Sequence, residues 1–172
     1  PTGNAKEAAL VPGITIYAAA TLQSVFDHVA QVHTLPIQPH AIPPAEAASA
    51  VDELVAIKGH RVIKRALAIA AAGRHNTLLY GPPGSGKTIL AKAVRGLLSP
   101  LAPDEIVEVT RLYSVAGLLT EAEPYITRRP FRQPHHTASV ASVVGGGRIP
   151  KPGELSLAHR GVLFLDELQE FP

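Results

Sequence analysis

The run Gly81-Pro82-Pro83-Gly84-Ser85-Gly86-Lys87-Thr88 fits the pattern G-x-x-x-x-G-K-[ST]. The chemistry such an octet supports is the cradling of a phosphate chain. Backbone N–H groups surround one anion, a lysine reaches the terminal phosphates, and a hydroxyl holds a divalent cation. In this chain Lys87 would reach the β- and γ-phosphates of ATP, and the Thr88 hydroxyl would bind Mg²⁺. The whole stretch Gly81, Pro82, Pro83, Gly84, Ser85, Gly86, Lys87 and Thr88 is the expected nucleotide-binding loop. A second chemical pair, Asp166-Glu167, follows Val162-Leu163-Phe164-Leu165. Asp166 would support Mg²⁺ beside Thr88, directly or through water. Glu167 would polarise the water that attacks the γ-phosphate, which makes Glu167 and Lys87 the expected catalytic residues.

Both pairs need particular elements to position them. Thr77-Leu78-Leu79-Tyr80 is a short apolar run suited to a buried strand entering the loop. Ile89, Leu90, Ala93, Val94, Leu97 and Leu98 recur at helical spacing after it, and Ser99-Pro100 ends that helix. The result is a helix N-terminus, with its partial positive charge, at the phosphate position. The four apolar residues before Asp166 predict a buried parallel strand with acids at its carboxyl end, where ligands sit in open α/β sheets.

The rest of the composition sets limits. The chain has 172 residues, 46% hydrophobic, 17% charged and 5% aromatic, so it is globular with a core of small aliphatic side chains. A net charge of +2 permits a polyanionic partner without arguing for one. The absence of cysteine excludes disulfides, thiolate metal sites and cysteine catalysis. No apolar run approaches the ~20 residues of a membrane span, and the N-terminus has no signal-peptide layout. The chain opens on Pro1, contains no methionine and stops at Pro172 just after the acids, which reads as a piece of a longer protein.

Three segments are expected. Residues 1–32 hold a short helix over Asn4–Leu10, with Asn4 as N-cap and Glu7 at the capping-box position. A strand over Ile14–Ala18 follows, then a helix capped by Thr21 with Leu22, Val25, Phe26 and Val29 on one face. Residues 33–50, with Pro36, Pro39, Pro43 and Pro44, read as an extended linker in which His33 and His40 are solvated. Residues 51–172 form the nucleotide-binding part. They begin with a helix burying Val62, Ile63, Ala66, Leu67, Ile69 and Ala70 and closed by Gly73. Another helix starts at Pro103-Asp104-Glu105 and runs to about Leu112. Pro124 to Thr137 has no clear periodicity. Ala141 to Val144 is a short apolar stretch running into a turn at Gly145-Gly146-Gly147, and Glu154 to His159 is a short helix.

Beyond the two motifs, the stretches Arg129-Pro130-Phe131-Arg132-Gln133-Pro134-His135-His136-Thr137 and Pro152-Gly153-Glu154-Leu155-Ser156-Leu157-Ala158-His159-Arg160-Gly161 narrow the kinship. Together with Ala70 to Asn76 and Gly145-Gly146-Gly147 they resemble the magnesium-chelatase-like AAA+ ATPase family, along nearly the whole chain. Residues 4–29 resemble the end of the Lon-protease-type domain that precedes the ATPase in part of that family. The resemblance implies an α/β P-loop core with a parallel sheet, reaching here just past the strand that bears the acids. It implies a cytoplasmic ATPase that forms a hexameric homo-oligomer ring, with ATP and Mg²⁺ as cofactors. It also implies adenine packing near Val55 to His60, so that Ile57 and Gly59 join the nucleotide-binding residues. One branch of the family drives DNA branch migration during DNA uptake, and another powers metal insertion into a porphyrin. The phosphate sensor, arginine finger and helical lid of such enzymes would lie beyond Pro172, and most of the Lon-type domain before Pro1. The segment alone is therefore expected to bind nucleotide poorly and to hydrolyse it hardly at all, and a non-hydrolysing nucleotide-binding scaffold is the alternative if those parts are missing from the whole protein.

Two further groups carry open readings. Arg128, Arg129, Arg132, Arg148, Lys151 and Arg160 either touch nucleic-acid phosphates in a ring pore or form a solvated or salt-bridged face. His135-His136, on an extended segment, would point to opposite sides. They would then serve a structural role better than a chelating one.

Overall fold

The computed structural model describes residues 1–40, 42–44, 54–147 and 150–171. Three expectations therefore lie outside the described residues: the linker end at 45–50, the start of the nucleotide-binding part at Val51, and Arg148. Two compact units are present, Pro1–Pro44 with Pro103–Ile126 and Ala45–Ala102 with Thr127–Pro172.

In the first unit a 3₁₀ turn, Thr2–Asn4, leads into α1 (Ala5–Ala8). The expected cap at Asn4 does not form: Asn4 has near-helical dihedrals because the 3₁₀ turn already runs into the helix. Its side chain reaches Glu7 instead, at 3.4 Å. The Thr21 cap is present on α2 (Leu22–Val29), with Thr21 Oγ1 accepting from the Ser24 N–H at 3.2 Å and the Ser24 hydroxyl returning the box. The apolar face of α2 stays open, with Leu22, Phe26 and Val29 all exposed. Strand β1 (Ile16–Tyr17) pairs antiparallel with β2 (Ile37–Gln38). The start of the expected linker is thus folded back as a strand. His40 there is exposed, as expected, and also bonds the Ala9 carbonyl through Nδ1 at 2.5 Å. Helix α5 (Pro103–Val115) starts as expected, with Asp104 and Glu105 favouring its N-terminus, and runs a turn further than Leu112. Its buried Thr110 receives the Ile126 N–H at 3.0 Å.

The second unit carries α3 (Arg61–Gly73), α4 (Lys87–Ala93) and a 3₁₀ turn, Val94–Leu97, that packs against α3. On α3 the buried stripe differs from the expected one. Leu67 and Ala71 are buried, Ile63 and Ala70 half-buried, and Val62 is 83% exposed. The inward residues are spaced i, i+4, i+7 and i+8, a narrower face than the full apolar set. Gly73 also has another use. The left-handed residue that closes α3 is Arg74 (φ 53°), whereas a Cβ on Gly73 would sit 2.3 Å from the His75 ring.

The expected strand over Thr77–Tyr80 is absent, and Leu78 and Tyr80 are 79% and 99% exposed. A parallel strand forms where a neighbour bonds its edge, and its side chains are buried where helices cover both faces of the sheet. Among the described residues the parallel pair is β3 (Phe131–Arg132) with β6 (Val162–Leu163). The Phe164 N–H extends that ladder to the Arg132 carbonyl at 2.9 Å. The strand before Asp166 is therefore parallel, as expected, but shorter and half-buried. Between its two strands lies a compact insert: α6 (Val140–Val144), the hairpin β4 (Gly145–Gly146) with β5 (Lys151–Pro152), and α7 (Glu154–Leu157). Ala141–Val144 is helical, and Gly145–Gly146 is a strand rather than a turn. A Cβ on Gly153 would meet the Gly145 N at 2.3 Å, so the hairpin closes backbone against backbone.

Candidate nucleotide site

The loop Gly81–Gly86 is irregular, and Gly84 and Gly86 both have positive φ, 75° and 82°. Gly86 is the residue immediately before α4, so the left-handed turn there aims the first helical N–H groups back at the loop. The ammonium of Lys87 donates to the carbonyls of Gly81 and Pro82, both at 2.9 Å. Two of its three protons thereby hold the mouth of the loop and a third remains to meet a phosphate. Ser85 folds towards Gly81, where an added Cβ would lie 3.4 Å from the serine oxygen.

The decisive contact spans 78 residues: the Thr88 hydroxyl donates to Asp166 Oδ2 at 3.3 Å. Thr88 is the second residue of α4, and Asp166 follows the β6 ladder, so one helix and one strand set this distance. A hydroxyl and a carboxylate at that separation are hard oxygen donors of the kind that could hold Mg²⁺ alongside water and phosphate.

Glu167 takes a different partner. Its Oε2 lies 3.1 Å from His136 Nδ1. Glu167 has a positive φ of 55° and opens the 3₁₀ turn Leu168–Glu170, whose Glu170 N–H bonds the Glu167 carbonyl at 2.8 Å. The two histidines do not diverge as expected. Their rings lie 4.1 Å apart between centroids, tilted by 38°, because the chain turns at residues 136–138 rather than staying extended. Gln133, Pro134, His135, His136, Asp166 and Glu167 line a cleft of about 250 Å³. Among the described residues no group of three or more His, Cys, Asp or Glu is arranged to hold a metal ion by itself.

Arg129 is 9% exposed and works as a clamp. Its guanidinium donates to the Ser99 carbonyl at 2.5 Å, the Pro100 carbonyl at 3.2 Å and the Arg160 carbonyl at 2.7 Å. The first two close the segment after α4; the third precedes the acid-bearing strand. Arg132 forms a fork with Glu154 at 2.5 and 2.6 Å. Of the basic cluster, Arg129 and Arg132 are thus engaged inside the unit. Ile57 and Gly59 lie in the turn before α3; Ile57 is half-buried and its carbonyl accepts from the Lys64 ammonium, while Gly59 is exposed with φ 75°.

The motifs of the octet and the acid pair were legible because each is contiguous. The Arg129 clamp and the His136 contact were not, since Pro124–Thr137 offers neither period nor spacing that names a partner. Among the described residues, no helix is long and apolar enough to cross a membrane.

Residues 53–172 match the family model described as magnesium chelatase, subunit ChlI. The chain is 44% identical over 172 residues to the uncharacterized protein YifB of Salmonella typhimurium, covering 99% of this chain and 33% of that protein. It is 45% identical over 177 residues to the competence protein ComM of Haemophilus influenzae, covering 98% and 33%. It spans about a third of the length of these curated relatives. A phosphate loop, an acid-bearing parallel strand and these matches together mean that the chain belongs to the magnesium chelatase ChlI family, alongside YifB and ComM.

Proposed function

We propose that this chain carries the ATP-binding half of an AAA+ motor that hydrolyses ATP to do mechanical work on DNA. The observation that carries the reading is the Thr88–Asp166 contact, which joins two motifs far apart in sequence at one point. Gly81 to Thr88 wraps the phosphates, Lys87 neutralises the β- and γ-phosphate charge, and Thr88 and Asp166 hold Mg²⁺. Mg²⁺ held by these two side chains would supply positive charge to offset what develops on the phosphates. Glu167 accepts hydrogen bonding from the attacking water and aims it. Ile57 and Gly59 contribute to the adenine pocket. The motor works in the cytoplasm as a hexameric ring with ATP between subunits, and the segment before residue 33 is the end of a Lon-protease-type domain.

The DNA substrate is favoured by the likeness to a protein named for competence. The name of the matching family model favours a second reading, a chelatase-type motor acting on a protein or tetrapyrrole partner. One assay separates them: steady-state ATP hydrolysis by the full-length protein, with and without single-stranded DNA. Stimulation by DNA is the expected outcome, and a rate indifferent to DNA would transfer support to the chelatase reading. In the same assay Asp166→Asn is expected to raise the Mg²⁺ concentration for half-maximal rate by about tenfold, as loss of one charged ligand should.

A further inference from the structure

The two neighbouring acids have separate partners, and the second partnership has consequences for turnover. Glu167 is more than half exposed, and a glutamate in that setting samples many rotamers. Here one carboxylate oxygen is held by His136 at 3.1 Å, on a ring that is itself only 30% exposed. An ionised carboxylate only accepts hydrogen bonds, so the proton of the contact sits on Nδ1. The His136 ring rests against His135. His135 in turn is fixed by Thr137, through the Thr137 side chain at 2.8 Å and the Thr137 N–H at 3.3 Å. A chain of restraint therefore runs from Thr137 to Glu167. It ends in a cleft of about 250 Å³, large enough for several waters.

We propose that His136 is the positioning residue for Glu167: its Nδ1–H holds Oε2 and leaves Oε1 as the oxygen that receives the attacking water. The inference rests on the reading of Glu167 as the residue that polarises water. His136 touches neither nucleotide nor water in this scheme; it acts by limiting where the carboxylate points.

The test uses the full-length protein, measuring kcat for ATP and, separately, the Kd of a fluorescent nucleotide. His136→Ala is expected to lower kcat about tenfold, a part of what a general base contributes, while the Kd stays unchanged. His136→Asn, whose amide N–H falls near the place of Nδ1–H, is expected to regain most of the rate. In a Glu167→Gln background, His136→Ala is expected to add no further loss, since both changes remove one function. An unaltered kcat in His136→Ala, with Glu167→Gln inactive, overturns the proposal and leaves the reading of Glu167 standing. A full additional loss in the double variant, or a loss that Asn does not rescue, also overturns it, because the histidine would then act through the fold. An active Glu167→Gln removes the reading of Glu167 and the proposal together.

Discussion

The phosphate loop and the acid-bearing strand meet at one site but are built by opposite means. The loop is made almost wholly by its own residues: Lys87 bonds the Gly81 and Pro82 carbonyls, and Gly86 turns the chain into α4. The acid side is held from elsewhere. Asp166 is met by Thr88, Glu167 by His136, and the strand before them is paired by Phe131–Arg132. A local device can be read from a contiguous pattern, whereas a device assembled by distant segments has no such signature. The Arg129 clamp joins the two, with bonds to Ser99 and Pro100 on one side and Arg160 on the other. Its three carbonyl acceptors satisfy donors of a guanidinium that is this deeply buried.

The largest effect that separates the halves is expected at Lys87. Lys87→Ala removes the charge from the loop and leaves the acid strand untouched, since the ammonium bonds only loop carbonyls among the contacts described. Nucleotide affinity and kcat/KM of the full-length protein should fall together by roughly a hundred- to a thousandfold, the scale of losing a preorganised electrostatic donor. The thermal unfolding midpoint should move little. A variant that keeps its affinity and loses only kcat would mean that the lysine acts with the acids and not with the loop.

These contrasts also define what the sequence conveys. Thr21, with its side-chain cap, and Pro103-Asp104-Glu105 are legible because helix starts are decided by residues within one turn of each other. The octet is legible for the same reason. Thr77–Tyr80 misleads because an apolar run states only that a segment prefers burial, and the neighbours that would bury it are not part of the run. Asn4 misleads because a preceding 3₁₀ turn changes its dihedrals, and His135-His136 because a bend cannot be seen in a dipeptide. In α3 the surplus of apolar residues concealed which of them face inward, and only Leu67 and Ala71 are fully covered.

On the acid side the next effect is expected at Gly161, the residue that leads into β6. A Cβ there would lie 2.0 Å from the Pro130 carbonyl oxygen, against backbone that cannot rotate away. The same carbonyl accepts the Val162 N–H at 2.9 Å, so relief of the overlap must break the first rung of the parallel pair. Gly161→Ala should therefore cost about 3 kcal/mol, in the range of severe core overpacking. Denaturant unfolding would measure it, and Asp166 and Glu167 should lose their positions with the strand. A shift within about 0.5 kcal/mol of the parent, the ordinary surface range, would mean that the two segments separate easily.

Gly84 in the loop is the counterpart, and its effect is the smallest of the set. Nothing lies within 4 Å of a Cβ added there, so no atom need move to admit one. Its cost is conformational, since a φ of 75° lies where L-residues carry a penalty of about 1 kcal/mol. Gly84→Ala should lower stability by that amount and leave the Thr88–Asp166 contact in place, because neither residue depends on the Gly84 side. The same denaturant titration compares the two alanines directly. If the loop is conformationally self-made and the strand is held by close approach, Gly161→Ala must be the more costly substitution by about 2 kcal/mol. Equal costs would mean that the loop, too, is braced by neighbours, and the distinction between a local and an assembled half of the site would fail.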